Sequence, residues 1–219
     1  MKISGENPGR LDSLRALVEG KFPSRSVRPG RRRRIGCRAL DEESGGLRTG
    51  VVTEVTGSSS GAQVLLAALL ASAVREGFHV GLVDASRSFH PADWPTNQLN
   101  RMLWVMCNDA RLAVQAVDFL IRDGNLPFLV LDLQGVQEVG KVPASSWHRF
   151  HRLVEQSEIA LLVLSSRPVV EGAAMRIVAH RAGHLAARLS ERQKLVEQLE
   201  LQIFERGAVE FAEPIRKTA

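Results

Sequence analysis

Apolar residues in this chain fall into short unbroken runs, separated by longer stretches of helical period. Val51, Val52 and Val55, with Glu54 among them, read as a buried strand running into a turn at Gly57 to Gly61. Ala62 to Glu76 reads as a long apolar helix with Gly77 just past its end, where a left-handed residue is favoured. Further strands are expected at His79 to Val83, ending at Asp84, at Leu103 to Met106, at Phe128 to Leu131, ending at Asp132, and at Ile159 to Leu164. Ala110 to Arg122, closed by Asp123 and Gly124, and Trp147 to Gln156 read as helices. Apolar strands alternating with helices predict βαβ units: an α/β fold, three-layer α/β/α, with a mostly parallel central sheet. Right-handed crossovers then bring Gly57, Asp84, Asp132 and Ser165 to one edge of that sheet. The stretch from Ile177 to Glu213 fits either period, and Leu195 to Phe204 reads as helix or strand. Short antiparallel C-terminal strands are expected there.

The first third is organised differently. Leu11, Leu14, Leu17 and Val18 repeat at helical spacing after a cap at Asn7 or Asp12, predicting an amphipathic helix within residues 1–21. This stripe either packs on its own domain or docks on a partner or second subunit. Residues 22–36 are rich in Pro, Ser, Gly and Arg without apolar period, which predicts a basic linker. The core is then expected over 37–213, with a short tail at 214–219.

Charge sharpens that division. Residues 21–38 hold eight Lys and Arg and no acid, so the remainder carries a net −3 within the total of +5. The chain is therefore not a uniformly basic nucleic-acid binder. Arg31, Arg32, Arg33 and Arg34 are the candidate DNA-phosphate contacts, with an acidic protein partner or a merely solvated arm as the other readings. Tyr is absent and aromatics make up 5% of the chain, so a stacking platform for single-stranded nucleic acid is hard to build. The two cysteines, Cys37 and Cys107, have no CxxC spacing, which points to a reducing compartment. No signal core opens the chain, and the apolar stretch from Val64 to Val74 is too short to span a bilayer. A cytoplasmic protein without membrane contact is expected.

A strand, a glycine-rich turn and a helix together form the geometry that cradles phosphate. A working loop reads GxxxxGK[ST]. Here the segment is Gly57, Ser58, Ser59, Ser60, Gly61, Ala62, Gln63, one residue short between the glycines. Ala62 stands where a Lys would neutralise the phosphates, and Gln63 where a hydroxyl would bind magnesium. Removing one such electrostatic donor costs about 2.7–4 kcal/mol of transition-state stabilisation. Losing both should abolish useful hydrolysis. Either a plain strand-to-helix turn or residual nucleotide binding fits the segment.

Gly45 to Gly57, reading GGLRTGVVTEVTG after Leu40-Asp41, resembles the RecA recombinase core, in which a GGLPxG turn leads into the phosphate-loop strand. Gly81-Leu82-Val83-Asp84-Ala85 resembles the next strand, and Phe128 to Asp132 the Walker B strand. The likeness covers about residues 35–166. It implies a RecA-like fold and makes Asp132 the Walker B-like acid. The departures share one direction: Ala62 and Gln63 replace the loop's Lys and Thr, Ser86 replaces the catalytic Glu, and the segments that carry DNA-binding loops in RecA are short. The pattern is similar to the ImuA-type accessory proteins of bacterial mutagenesis cassettes. That resemblance implies a non-enzymatic adaptor in translesion DNA synthesis and the SOS damage response, with no cofactor and no bound ATP. It also implies an ImuB-like Y-family polymerase homologue or an error-prone polymerase as partner. DNA, self-association and RecA contact are further partners to weigh. A weak ATPase or recombinase relative, with Arg87 or Arg111 replacing the Lys, and a SulA-like cell-division inhibitor are the alternative readings.

The remaining candidates are weaker. His148/His151 and His180/His184 have helical spacing but lack the HExxH pattern and a third ligand, so no metal site is expected. Ser58, Ser59 and Ser60 lack a GxSxG elbow, and no catalytic residue is assigned. Asp84 and Asp132 either pair at the strand ends or serve as capping and turn acceptors.

Overall fold

A computed structural model describes residues 30–137, 139–180 and 192–205. The N-terminal stripe Leu11, Leu14, Leu17 and Val18, His184 and the C-terminal tail lie outside the described residues.

The predicted alternation resolves into a seven-stranded sheet. In chain order its strands are β3 (Val51–Gly57), β4 (Val80–Asp84), β5 (Met102–Met106), β6 (Phe128–Asp132), β7 (Ala160–Leu164), β8 (Met175–Ala179) and β9 (Leu201–Glu205). The spatial order is β5-β4-β6-β7-β3-β8-β9. All neighbours are parallel except β8 and β9. Strands β4, β6 and β7 are buried at every position, which is why their sequences are continuous apolar runs rather than alternating ones.

Helices cover both faces. On one lies α2 (Ser59–Glu76), buried along most of its length from Gly61 to Ala73. Its near-uniform apolarity follows from packing between the sheet, α1 (Arg38–Glu43) and α6 (Arg192–Glu197). A short α3 (Thr96–Leu99) lies at its other flank. On the opposite face lie α4 (Ala110–Asp123) and α5 (Ala144–Glu155). These two are amphipathic. Ala113, Val114, Val117, Leu120 and Ile121 of α4 and Trp147, Phe150 and Val154 of α5 meet Val83, Leu129, Leu131, Leu161 and Val163 of the sheet. Asp109 caps α4 by accepting from the Leu112 N–H at 2.7 Å, and Gly124 ends it in the left-handed region. The fold is thus three-layer α/β/α.

Two expectations need correction. The basic linker does not extend to residue 36. Arg32–Arg33 forms β1, antiparallel to β2 (Leu47–Arg48), and Ile35 is fully buried. The glycine turn makes this possible: a Cβ on Gly46 would stand 2.3 Å from the Arg33 carbonyl oxygen. Asp41 fastens the same crossing by accepting from the N–H groups of Ile35 (3.1 Å) and Gly36 (2.8 Å). Among the described residues of the C-terminal part, only β9 is antiparallel; β8 runs parallel to β3. Leu195 to Phe204 is neither one helix nor one strand, because α6 ends at Glu197 and β9 begins at Leu201.

Candidate functional site

The strand ends meet along one edge, as the crossover rule requires. Asp84 and Asp132 are register partners, Asp132 is beside Leu164, and Gly57 is beside Ala179.

At the end of β3 the expected loop is almost absent. Only Ser58 separates β3 from α2, so Ser59, Ser60 and Gly61 are helical rather than a free glycine-serine turn. The Ser58 side chain explains the early start: its Oγ accepts from the Gly61 N–H at 3.1 Å, satisfying one of the donors a phosphate would need. The end of β8 closes the other side. The Ala179 carbonyl accepts from the Ser58 N–H at 3.0 Å. A Cβ on Gly57 would meet that same oxygen at 2.3 Å, and one on Gly61 would meet the His180 oxygen at 2.8 Å. Both glycines therefore serve a close backbone approach. Gly57 also sits at φ 110°, where L side chains are strained. Ala62 is 1% exposed and Gln63 half-buried. No residue of the turn itself is a cation, and two carbonyl oxygens face it. Neither substitute arginine lies beside it. Arg87 follows β4, which is three strand spacings from β3, about 14 Å. Its guanidinium is hydrogen-bonded to Asn108. Arg111, on α4, lines a cleft with Val142, Pro143 and Arg149.

Asp84 and Asp132 do form a pair. They are 0% and 1% exposed. Asp132 accepts from the Gln134 N–H at 2.9 Å and the Ser88 hydroxyl at 3.1 Å. Asp84 accepts from the Ser86 hydroxyl at 2.9 Å and from the N–H groups of Ser88 and Phe89, both at 3.3 Å. No cation faces either carboxylate among the described residues. Burial pushes Asp132 up to about 6; the Gln134 N–H and Ser88 hydroxyl pull it down, the neighbouring Asp84 charge adds to the rise, and Ser86 opposes it. Capping and pairing, posed as alternatives by the sequence, are both realised: the carboxylates cap the β4 loop and share one pocket of hydroxyls. Burial also raises the nearby Cys107 thiol, with Asp109 and Asp84 adding to it.

A third buried acid had not been singled out. Glu54, 0% exposed in the middle of β3, accepts from the Val170 N–H at 2.9 Å and pairs with Arg176 Nε at 2.8 Å. The Val169 N–H and the Ser165 hydroxyl donate to it as well. The signal was an acid inside an apolar strand; its partner lies on β8, beyond the reach of local pattern.

The basic arm is divided. Arg32 holds Glu205 through two 2.8 Å bonds and donates to the Ser44 carbonyl. The bond from Arg32 holds the Glu205 carboxyl below its ordinary value, and the same bond raises Arg32. Arg31 and Arg34 are exposed and Arg33 half-buried, and none of the three makes an ion pair among the described residues. Among the described residues no group of three or more His, Cys, Asp or Glu is placed to hold a metal ion, and no helix is long and apolar enough to cross a membrane. No protein-family profile and no characterised protein matches the chain.

Proposed function

We propose that this chain is a RecA-like adaptor without ATPase activity, acting by binding protein and DNA in damage-tolerant DNA synthesis. One observation carries the reading: the β3–α2 turn is capped by Ser58, closed by the carbonyls of Ala179 and His180, and has Ala62 and Gln63 where a lysine and a metal-binding hydroxyl would stand. Phosphoryl transfer depends almost wholly on positioning and charge stabilisation, and this turn supplies neither. The segments that resemble the RecA core support the fold assignment. The glycine turn, β3, β4 and β6 follow in the same order, with Asp84 and Asp132 at the carboxyl ends of β4 and β6. The partner implied by the resemblance is an inactive Y-family polymerase homologue or an error-prone polymerase. DNA contact would fall to Arg31, Arg33 and Arg34.

The test is calorimetry and phosphate release with ATP and magnesium. No binding heat and no turnover are expected, whereas magnesium-dependent hydrolysis by the purified chain overturns the reading. For the arm, replacing Arg31, Arg33 and Arg34 by Ala should weaken DNA binding at low salt and flatten its salt dependence. Unchanged affinity would remove DNA from the proposal.

A further inference from the structure

Six large hydrophobic side chains are exposed among the described residues, and five of them, Leu103, Trp104, Met106, Leu112 and Phe119, belong to β5 and α4. The apolar surface is therefore gathered at one end of the sheet. Strand β5 is the outermost strand there. Its sequence is Met102-Leu103-Trp104-Val105-Met106, without a charge or a proline. Leu103 is 44% exposed, Trp104 36% and Met106 57%. An open edge is ordinarily blunted by charges, proline or a covering element; β5 contains neither a charge nor a proline, and no strand among the described residues pairs beyond it. The opposite edge is treated differently: β9 includes Gln202 and Glu205, and α1 packs against it while Arg32 holds Glu205.

The hydrogen-bond pattern shows which groups β5 offers. Val80 N–H donates to the Arg101 carbonyl and Cys107 N–H to the Asp84 carbonyl, both at 2.9 Å. Arg101 and Cys107 thus face β4. Alternate residues of a parallel ladder face the same neighbour, so Leu103 and Val105 do too. Met102, Trp104 and Met106 are left to direct their N–H and C=O groups outward. The five-residue sequence also reads alike in both directions. Turned antiparallel on itself about Trp104, it sets Trp104 opposite Trp104, Met102 opposite Met106, and Leu103 opposite Val105. The three outward residues fall in the hydrogen-bonded pairs of that register, which gives roughly six new main-chain bonds. Every facing pair is apolar. Self-complementarity of this kind is what a two-fold interface demands, since each surface must fit its own copy.

We propose that two copies of this chain pair edge to edge through β5, antiparallel and centred on Trp104, forming one continuous sheet across a two-fold axis. Helix α4 packs over β4 and β6 on the Val105 side of the sheet. Leu112 and Phe119, two turns apart on its outer surface, extend the apolar face beside the joined edge.

Sedimentation of the full chain tests this. The wild type should run as a closed dimer. Met106→Lys sets a charge opposite Met102 of the second copy, and Met106→Pro removes an outward N–H that the β4 ladder does not use. Each should weaken the dimer at least tenfold with an unchanged circular dichroism spectrum. Phe204→Lys, at the far edge, should leave it intact. Trp104→Cys tests the register: hydrogen-bonded antiparallel partners have Cα atoms about 5.5 Å apart, within disulfide reach, so oxidation should give a covalent dimer even if both Met106 variants misfold. A monomeric wild type would assign the edge to another strand and overturn the proposal. An open-ended filament, or a dimer indifferent to both Met106 changes, would do the same.

Discussion

Glu54 and Asp132 are equally hidden from water, two strands apart in one sheet, and their surroundings oppose each other. Glu54 faces Arg176, two backbone N–H groups and a serine hydroxyl. Asp132 has a backbone N–H and serine hydroxyls, but its nearest charged neighbour is a second carboxylate. Burial alone therefore does not decide what an internal acid does. With a cation, the acid ties segments together: Glu54 fixes the start of the β7–β8 connection onto β3. Without one, burial holds the acid near neutrality, where its proton becomes a variable. The second arrangement, at the strand ends, responds to its medium.

Glu54→Ala should produce the largest effect. It strips acceptors from the N–H groups of Val169 and Val170 and leaves Arg176 without its partner. Removing one member of a buried pair costs about 3–5 kcal/mol. Arg176 keeps some access to water, so a loss near the lower end is expected in urea denaturation. Glu54→Gln should recover part of it, because the amide oxygen still accepts. A loss below about 1 kcal/mol would show that the connection holds itself, and the contrast with Asp132 would disappear.

The Asp132 site should answer to pH instead. Its folded pKa lies above the unfolded value, so between pH 4 and 6 the folded state binds more proton than the unfolded one. The contribution of this site to stability is then highest at the acid end of that window, falls as pH rises through about 6, and levels off above. A shift of this size corresponds to roughly 3 kcal/mol as an upper bound on the cost of the charged form. Asp132→Asn should flatten the dependence and gain up to that amount at neutral pH, measured by denaturation from acid to neutral. A destabilised Asn variant with the slope intact would place the titration elsewhere.

The two sites were not equally legible in the sequence. Asp132 ends an apolar run, and crossover topology brings it to the same sheet edge as Asp84; that the two stand side by side follows from the β4–β6 pairing, which no local pattern shows. Glu54 was visible as an oddity in β3, but Arg176 stands far along the chain, and no local pattern connects them. The same division runs through the fold. The parallel strands and the glycine stops at Gly77 and Gly124 follow from periodicity. The Gly57 to Gly61 turn does not, because its composition reads as loop while the Ser58 cap and the approach of Ala179 draw Ser59 and Ser60 into the helix. Arg32–Arg33 carries no apolar period at all; it becomes a strand because Gly46 admits the Arg33 carbonyl.

Ser88→Ala sharpens the comparison at its finest grain. Ser88 is exposed, and its hydroxyl reaches Asp132 Oδ2 at 3.1 Å while its N–H serves Asp84. The substitution deletes only the hydroxyl. That hydroxyl favours the charged form of Asp132, so without it the folded pKa should move further up and the stability transition should shift toward higher pH. At neutral pH the loss should be about 0.5–1 kcal/mol, the usual net worth of one hydrogen bond. At pH 4, where Asp132 holds its proton in either variant, the difference should shrink toward zero. A purely structural role for Ser88 predicts the same loss at both pH values, so denaturation of wild type and variant at the two ends of the range separates the accounts.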